Sequence, residues 1–106
     1  MSYRFMRVLV FFDLPTTTAD ERREYTKFRK YLIVNGFMML QESVYSRLVL
    51  NYSVCEATIM ALKNNSPNSG LVQVISITEK QYSRMEFIVG KEKNDVINDD
   101  RRLIVF

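Results

Sequence analysis

Residues 5–12, Phe-Met-Arg-Val-Leu-Val-Phe-Phe, are apolar at both odd and even positions, interrupted only by Arg7, and rich in β-branched and aromatic side chains. A strand with one wet face alternates apolar and polar residues, so a run without alternation predicts a strand buried on both sides. The run ends in Asp13-Leu14-Pro15, and Thr18-Ala19-Asp20-Glu21 then fits a capping box, in which a hydroxyl and a carboxylate each cover an orphan amide at a helix start. The spacing predicts a helix from about Ala19 to Asn35. Tyr25, Phe28 and Leu32 form its core-facing stripe, and Gly36 is placed for a left-handed cap.

Phe37–Leu40 and Val44–Leu50 are apolar, β-prone runs joined through Gln41-Glu42-Ser43, which reads as a hairpin. Ser53-Val54-Cys55-Glu56 repeats the capping-box pattern and predicts a second helix through about Lys63, with Cys55, Ile59 and Leu62 on its core face. Asn64–Gly70 is a loop by composition, and Leu71–Thr78 and Arg84–Val89 both read as strands. Lys91–Arg102 is polar and acidic at its centre, and Leu103-Ile104-Val105-Phe106 is an apolar run expected to dock against something. The order strand, helix, strand, strand, helix, strand is that of a ferredoxin-like βαββαβ α+β domain with an extra C-terminal strand or strands. Helices cover only one face of such a sheet. Because strand residues on both faces are apolar here, the second face needs a cover, and a second copy of the chain, forming a homodimer, is the simplest.

A length of 106 residues suits one domain spanning residues 1–106. No stretch approaches the roughly 20 apolar residues that cross a bilayer, and Met1-Ser2-Tyr3-Arg4 leads into a strand rather than a signal-peptide core. Together with a single cysteine, Cys55, this predicts a cytoplasmic protein without a disulfide or a structural zinc site. There is no histidine, which excludes Ser-His-Asp and Cys-His catalysis and leaves carboxylates and a metal for any hydrolysis. A formal charge of +3 permits a polyanionic partner without requiring one.

Asp13 is the sharpest site candidate. It stands alone at the end of an apolar strand, where a charge must be solvated, paired or metal-bound, or else it simply starts the turn before Leu14-Pro15. One carboxylate makes a weak magnesium site, but a two-fold dimer could bring two copies of Asp13 to one Mg2+. Arg22, Arg23, Lys27 and Lys30 lie on the first helix, and Arg23, Lys27 and Lys30 repeat on one side, a stripe suited to a phosphate backbone or to water, with Asp20, Glu21 and Glu24 as balancing charges. Arg84 is a further basic candidate. Phe11, Phe12, Phe37, Tyr45 and Phe87 are read as core rather than as platforms for bases.

The segment Val10-Phe11-Phe12-Asp13-Leu14-Pro15, the basic capped helix, the run Gly36–Tyr45 with its Gln41-Glu42-Ser43-Val44-Tyr45, and the late Thr78-Glu79-Lys80-Gln81 together resemble the second universal CRISPR-associated protein family over essentially the whole chain. The Met-Ser-Tyr-Arg start and the Asp-Leu-Pro turn are similar to members from loci with a single large RNA-guided effector nuclease. The resemblance implies a ferredoxin-like homodimer that sits between dimers of the CRISPR integrase and holds the duplex destined to become a spacer. It also implies a magnesium-dependent endonuclease acting on RNA or duplex DNA, with Asp13 as metal ligand and catalytic residue. Many relatives carry an arginine pair shortly after this Asp, whereas here Thr16-Thr17-Thr18 intervenes and the first arginines are Arg22 and Arg23. Three functions follow as expectations: a scaffold for spacer acquisition in antiviral defence that binds prespacer DNA and the integrase, with Leu103–Phe106 in docking; a metal-dependent endonuclease; and an antitoxin-like or regulatory interaction module, since the fold alone fixes no function.

Overall fold

A computed structural model describes residues 5–90. The apolar run becomes strand β1, Met6–Asp13, and it occupies the interior position that its composition demands. It is flanked by β3 (Val44–Val49) and β4 (Leu71–Thr78), while β2 (Met38–Gln41) forms the far edge, giving the order β2-β3-β1-β4. All three pairings are antiparallel. Helix α1 (Ala19–Val34) links β1 to β2 and helix α2 (Tyr52–Asn64) links β3 to β4. Each connection strides over one strand, which is the split βαβ arrangement of the ferredoxin-like α+β fold. A four-residue helix, α3 (Glu79–Tyr82), follows β4, opened by a Thr78-x-x-Gln81 capping box that the expected element order did not include.

The pleat sorts β1 into two sets. Val8, Val10 and Phe12 are buried with Phe28 and Leu32 of α1 and Cys55 and Leu62 of α2. Phe12 is the aromatic hub, edge-on to Phe28 at 5.3 Å and stacked with Tyr45 at 5.7 Å. Truncating such a ring to alanine costs about 3–5 kcal/mol, since little can collapse into the space.

The capping box of α1 forms as the sequence implies: Thr18 Oγ1 accepts from the Glu21 amide at 3.1 Å, and Glu21 Oε1 accepts from the Thr18 amide at 2.9 Å. At the other end Gly36 adopts φ +88°, and the Gly36 and Phe37 amides donate to the Ile33 and Leu32 carbonyls, a Schellman closure. The second cap differs from expectation. Asn51, not Ser53, caps α2, its Oδ1 accepting from the Val54 amide at 2.9 Å. An Asn two residues after the end of β3 starts the helix earlier than the Ser-x-x-Glu pattern suggested. The hairpin turns at Glu42-Ser43 with Ser43 at φ +70°, so serine fills a left-handed position that Gly or Asn usually takes.

Arg84–Val89 is not a strand. Its first residue belongs to turns that extend α3, the Arg84 and Met85 amides donating to the Gln81 and Tyr82 carbonyls, and 85–90 joins no ladder among the described residues. The apolar, β-prone composition is real, but a strand also needs a neighbour with free amides, and α3 turns the chain away from one. Phe87 is half exposed rather than core. The run Leu103–Phe106 lies outside the described residues.

Candidate functional site

Arg7, Leu9, Phe11 and Asp13 of β1 share the sheet face that carries no helix among the described residues; there Leu9 is buried, while Phe11 and Asp13 are exposed. Register places Val44, Ser46 and Leu48 of β3 and Leu71, Gln73, Ile75 and Ile77 of β4 beside them on that face. The open face is therefore apolar: Phe11 is 39% and Ile75 51% exposed, with Leu48, Leu71 and Met38 also exposed. Within it Ser46 Oγ is buried without a hydrogen-bond partner, an unmet donor and acceptor on an otherwise greasy surface.

Asp13 closes this face at the carboxyl end of β1, opposite Leu71. Its side chain is exposed and lines a shallow recess of about 190 Å³ with Phe11, Phe12, Ser43, Val44, Leu71 and Gln73. Among the described residues it forms no ion pair. The wall of the recess depends on Gly70, at φ +91°, where an added Cβ would sit 2.8 Å from Leu14 Cδ2 and 2.9 Å from the Asp13 carbonyl oxygen. Composition had marked Gly70 only as a loop residue; its role shows once β4 is seen to start against the end of β1.

Among the described residues no three His, Cys, Asp or Glu side chains cluster to hold a metal ion. The donor set of one chain is a single carboxylate, and a magnesium ion takes about six oxygens. Asp13 would supply one carboxylate to such a shell, and the other oxygens would have to come from outside the described residues of this chain.

The basic candidates are not gathered at Asp13. Helical periodicity puts Arg23, Lys27 and Lys30 on the side of α1 opposite its buried residues Phe28 and Leu32, so they face away from the sheet while Asp13 lies on the sheet's far face. Arg23 pairs with Asp20 at 2.7 Å in the open, and Arg22 spends its guanidinium on the Thr16 and Thr17 carbonyls at 3.2 and 2.9 Å. Lys27 and Lys30 are exposed and form no ion pair among the described residues. Arg84 lies beyond the other end of the sheet, past Thr78, which pairs with Met6. The seven residue-to-residue steps from Met6 to Asp13 put roughly 23 Å between the two ends.

At that second end the sequence reading missed a cluster. Arg7 makes a bidentate bond to Glu79, Nε to Oε1 at 2.9 Å and Nη2 to Oε2 at 2.6 Å, and its guanidinium lies 4.1 Å from the centre of the Tyr82 ring. The signal was the charge itself, since an arginine inside an apolar strand requires a partner. The partner is 72 residues away and invisible without the register.

A ferredoxin-like sheet with one helix-covered face, one apolar open face and an isolated carboxylate at the end of its first strand defines a class of small α+β modules built to work against something else. The family model described as CRISPR associated protein Cas2 matches residues 6–85. The chain is 51% identical over 100 residues to the CRISPR-associated endoribonuclease Cas2 of Treponema denticola, covering 94% of this chain and 99% of that protein. It is 46% identical over 99 residues to the protein of the same name from Streptococcus mutans serotype c, covering 93% and 91%, and 45% identical over 100 residues to that of Ligilactobacillus salivarius, covering 94% and 99%. The chain belongs to the CRISPR-associated Cas2 family.

Proposed function

We propose that the chain is the dimeric scaffold of CRISPR spacer acquisition, gripping prespacer duplex DNA through its phosphates and docking the CRISPR integrase, in the cytoplasm. The observation that carries this reading is the open sheet face. A monomer would leave Phe11, Leu48, Leu71 and Ile75 against water, and a second copy would cover them symmetrically. Basic side chains on α1 supply a sequence-independent attraction for phosphate, and Leu103–Phe106 is the apolar segment left for the integrase. The test is sedimentation of the full chain across a dilution series together with duplex binding at low salt. A monomer at micromolar concentration that ignores duplex DNA at 50 mM salt would overturn it.

A second reading is favoured by the name its relatives carry, endoribonuclease, and by the exposed position of Asp13. The chain would cleave RNA or duplex DNA, with Asp13 of both copies holding Mg2+. When bound, the ion supplies charge neutralisation at the scissile phosphate and a more acidic water. Asp13 contributes the negative charge, and the apolar rim of Phe11, Val44 and Leu71 strengthens its pull on a cation by excluding solvent from one side. With no histidine in the chain, proton transfer falls to solvent and carboxylate.

A further inference from the structure

Glu42 and Tyr45 take no part in the functions above, yet the fold puts them in the wall of a second recess, of about 360 Å³. Tyr25 and Arg29, about one turn apart on α1, line it from one side, and Met39, Glu42, Ser43 and Tyr45 of the β2–β3 hairpin from the other. Pockets that take small ligands start at about 300 Å³. Ser43 also lines the Asp13 recess, and its carbonyl accepts from the Phe12 amide at 3.0 Å. The hairpin tip is therefore the wall between the two recesses.

The polar groups of this recess are unspent. Tyr45 is only 1% exposed, with its ring stacked on Phe12, and its hydroxyl has no hydrogen-bond partner among the described residues. A buried phenol normally finds one. Unlike Ser46 Oγ it is not sealed off, because the little of Tyr45 that is exposed opens into the recess. Arg29 and Glu42 are exposed and form no ion pair among the described residues, so a donor-only and an acceptor-only group stand free in one small space. Met39 and the half-buried Tyr25 ring add apolar surface.

An unpaired nucleobase has apolar faces and an edge of donors and acceptors. Guanine matches this set best. Its adjacent N1–H and N2–H donors meet a carboxylate in a two-pronged bond, its O6 accepts from a hydroxyl, and its phosphate meets a guanidinium. Adenine would turn the lone pair of N1 toward the carboxylate. We propose that the recess holds an unpaired guanine of a nucleic-acid strand, with Glu42 on the base edge, Tyr45 on O6 and Arg29 on the phosphate. In a duplex that edge is taken by cytosine, so the site reads single-stranded ends or tails. This rests on the reading of the chain as a nucleic-acid-binding protein.

The test is fluorescence anisotropy of the full chain at 50 mM salt with three labelled probes: a ten-nucleotide strand alternating A and G, an all-A strand of the same length, and a blunt duplex. The alternating strand is expected to bind about tenfold more tightly than all-A, the factor matching one charge-assisted pair. Glu42→Gln should bring that ratio to about one and Tyr45→Phe should lower it about threefold, both leaving duplex affinity unchanged. Arg29→Met should weaken both single strands. Glu42→Gln alters an exposed residue and Tyr45→Phe keeps the ring, so both variants should fold, with thermal unfolding as the check. Equal binding of the two strands by wild type, or a preference that survives Glu42→Gln, overturns the guanine site while duplex binding stands. A wild type that binds none of the three probes overturns the nucleic-acid reading itself, so the two failures are distinguishable.

Discussion

Gly70→Ala isolates the packing on which the Asp13 recess depends. At φ +91° an alanine pays the left-handed penalty of about 1–2 kcal/mol. Its Cβ would also press on the Asp13 carbonyl at 2.9 Å and on Leu14 and Pro15 side-chain atoms at 2.8 and 3.1 Å. The carbonyl cannot rotate away, so the overlap adds a term of the overpacking kind, about 1–3 kcal/mol. The sum is about 2–5 kcal/mol, a large part of an ordinary domain's stability, and corresponds to a fall in melting temperature of at least about 10 °C. Gly36→Ala is the control. Its φ of +88° is the same strain, but the added Cβ meets only Arg47 Nε at 3.7 Å, an ordinary contact with a flexible side chain. It should lose about 1–2 kcal/mol and no more. Urea unfolding followed by circular dichroism measures both, at one protein concentration because association couples to stability. If Gly70→Ala falls within 0.5 kcal/mol of Gly36→Ala, roughly the error of comparing two such measurements, the close approach of the loop to the end of β1 is not what requires glycine.

Asp13→Asn keeps the shape of the side chain and removes the charge; nuclease activity should collapse, by several kcal/mol at the transition state, while spacer integration in cells largely survives, and loss of integration with dimer and DNA affinity intact would place Asp13 chemistry at the centre. If the dimer engages about six phosphates, its duplex affinity should drop on the order of 10³ between 50 and 200 mM salt, and replacing Arg23, Lys27 and Lys30 by Ala should lower the log–log salt slope by about 2.7; an unchanged slope returns the stripe to a solvated helix face. Phe11→Asp, at a half-exposed position of the open face, should leave the monomer folded by circular dichroism and abolish the dimer in sedimentation, and a persistent dimer would show that the copies meet elsewhere.

Local rules carried the reading where one segment contains all the information. Residues 5–12 announce a central strand by lacking alternation, and Thr18 with Glu21 announces the start of α1, because both partners of each device lie within a few residues. The same locality misplaced the second cap, where Ser53-x-x-Glu56 and Asn51 compete and the end of β3 at Val49 decides. Arg84–Val89 reads as a strand because composition reports a taste for pairing, not the presence of a neighbour. Arg7–Glu79 and the Gly70 contact with Asp13 join residues that only the sheet register brings together. For the candidate site, Asp13 was legible as a charge out of place, whereas its neighbours Val44, Leu71 and Gln73 belong to strands that meet it through pairing alone.

The outward aim of Arg23, Lys27 and Lys30 carries a geometric consequence for any assembly. Two copies pressed together like palms have their knuckles on opposite sides, and here the knuckles are the α1 cations. Duplex DNA is a stiff rod on this scale, with a persistence length of about 150 base pairs, and a rod resting on one back of the hands cannot touch the other. A straight duplex would therefore meet one stripe per pair of chains, leaving its twin turned toward the opposite side and open to a separate stretch of nucleic acid.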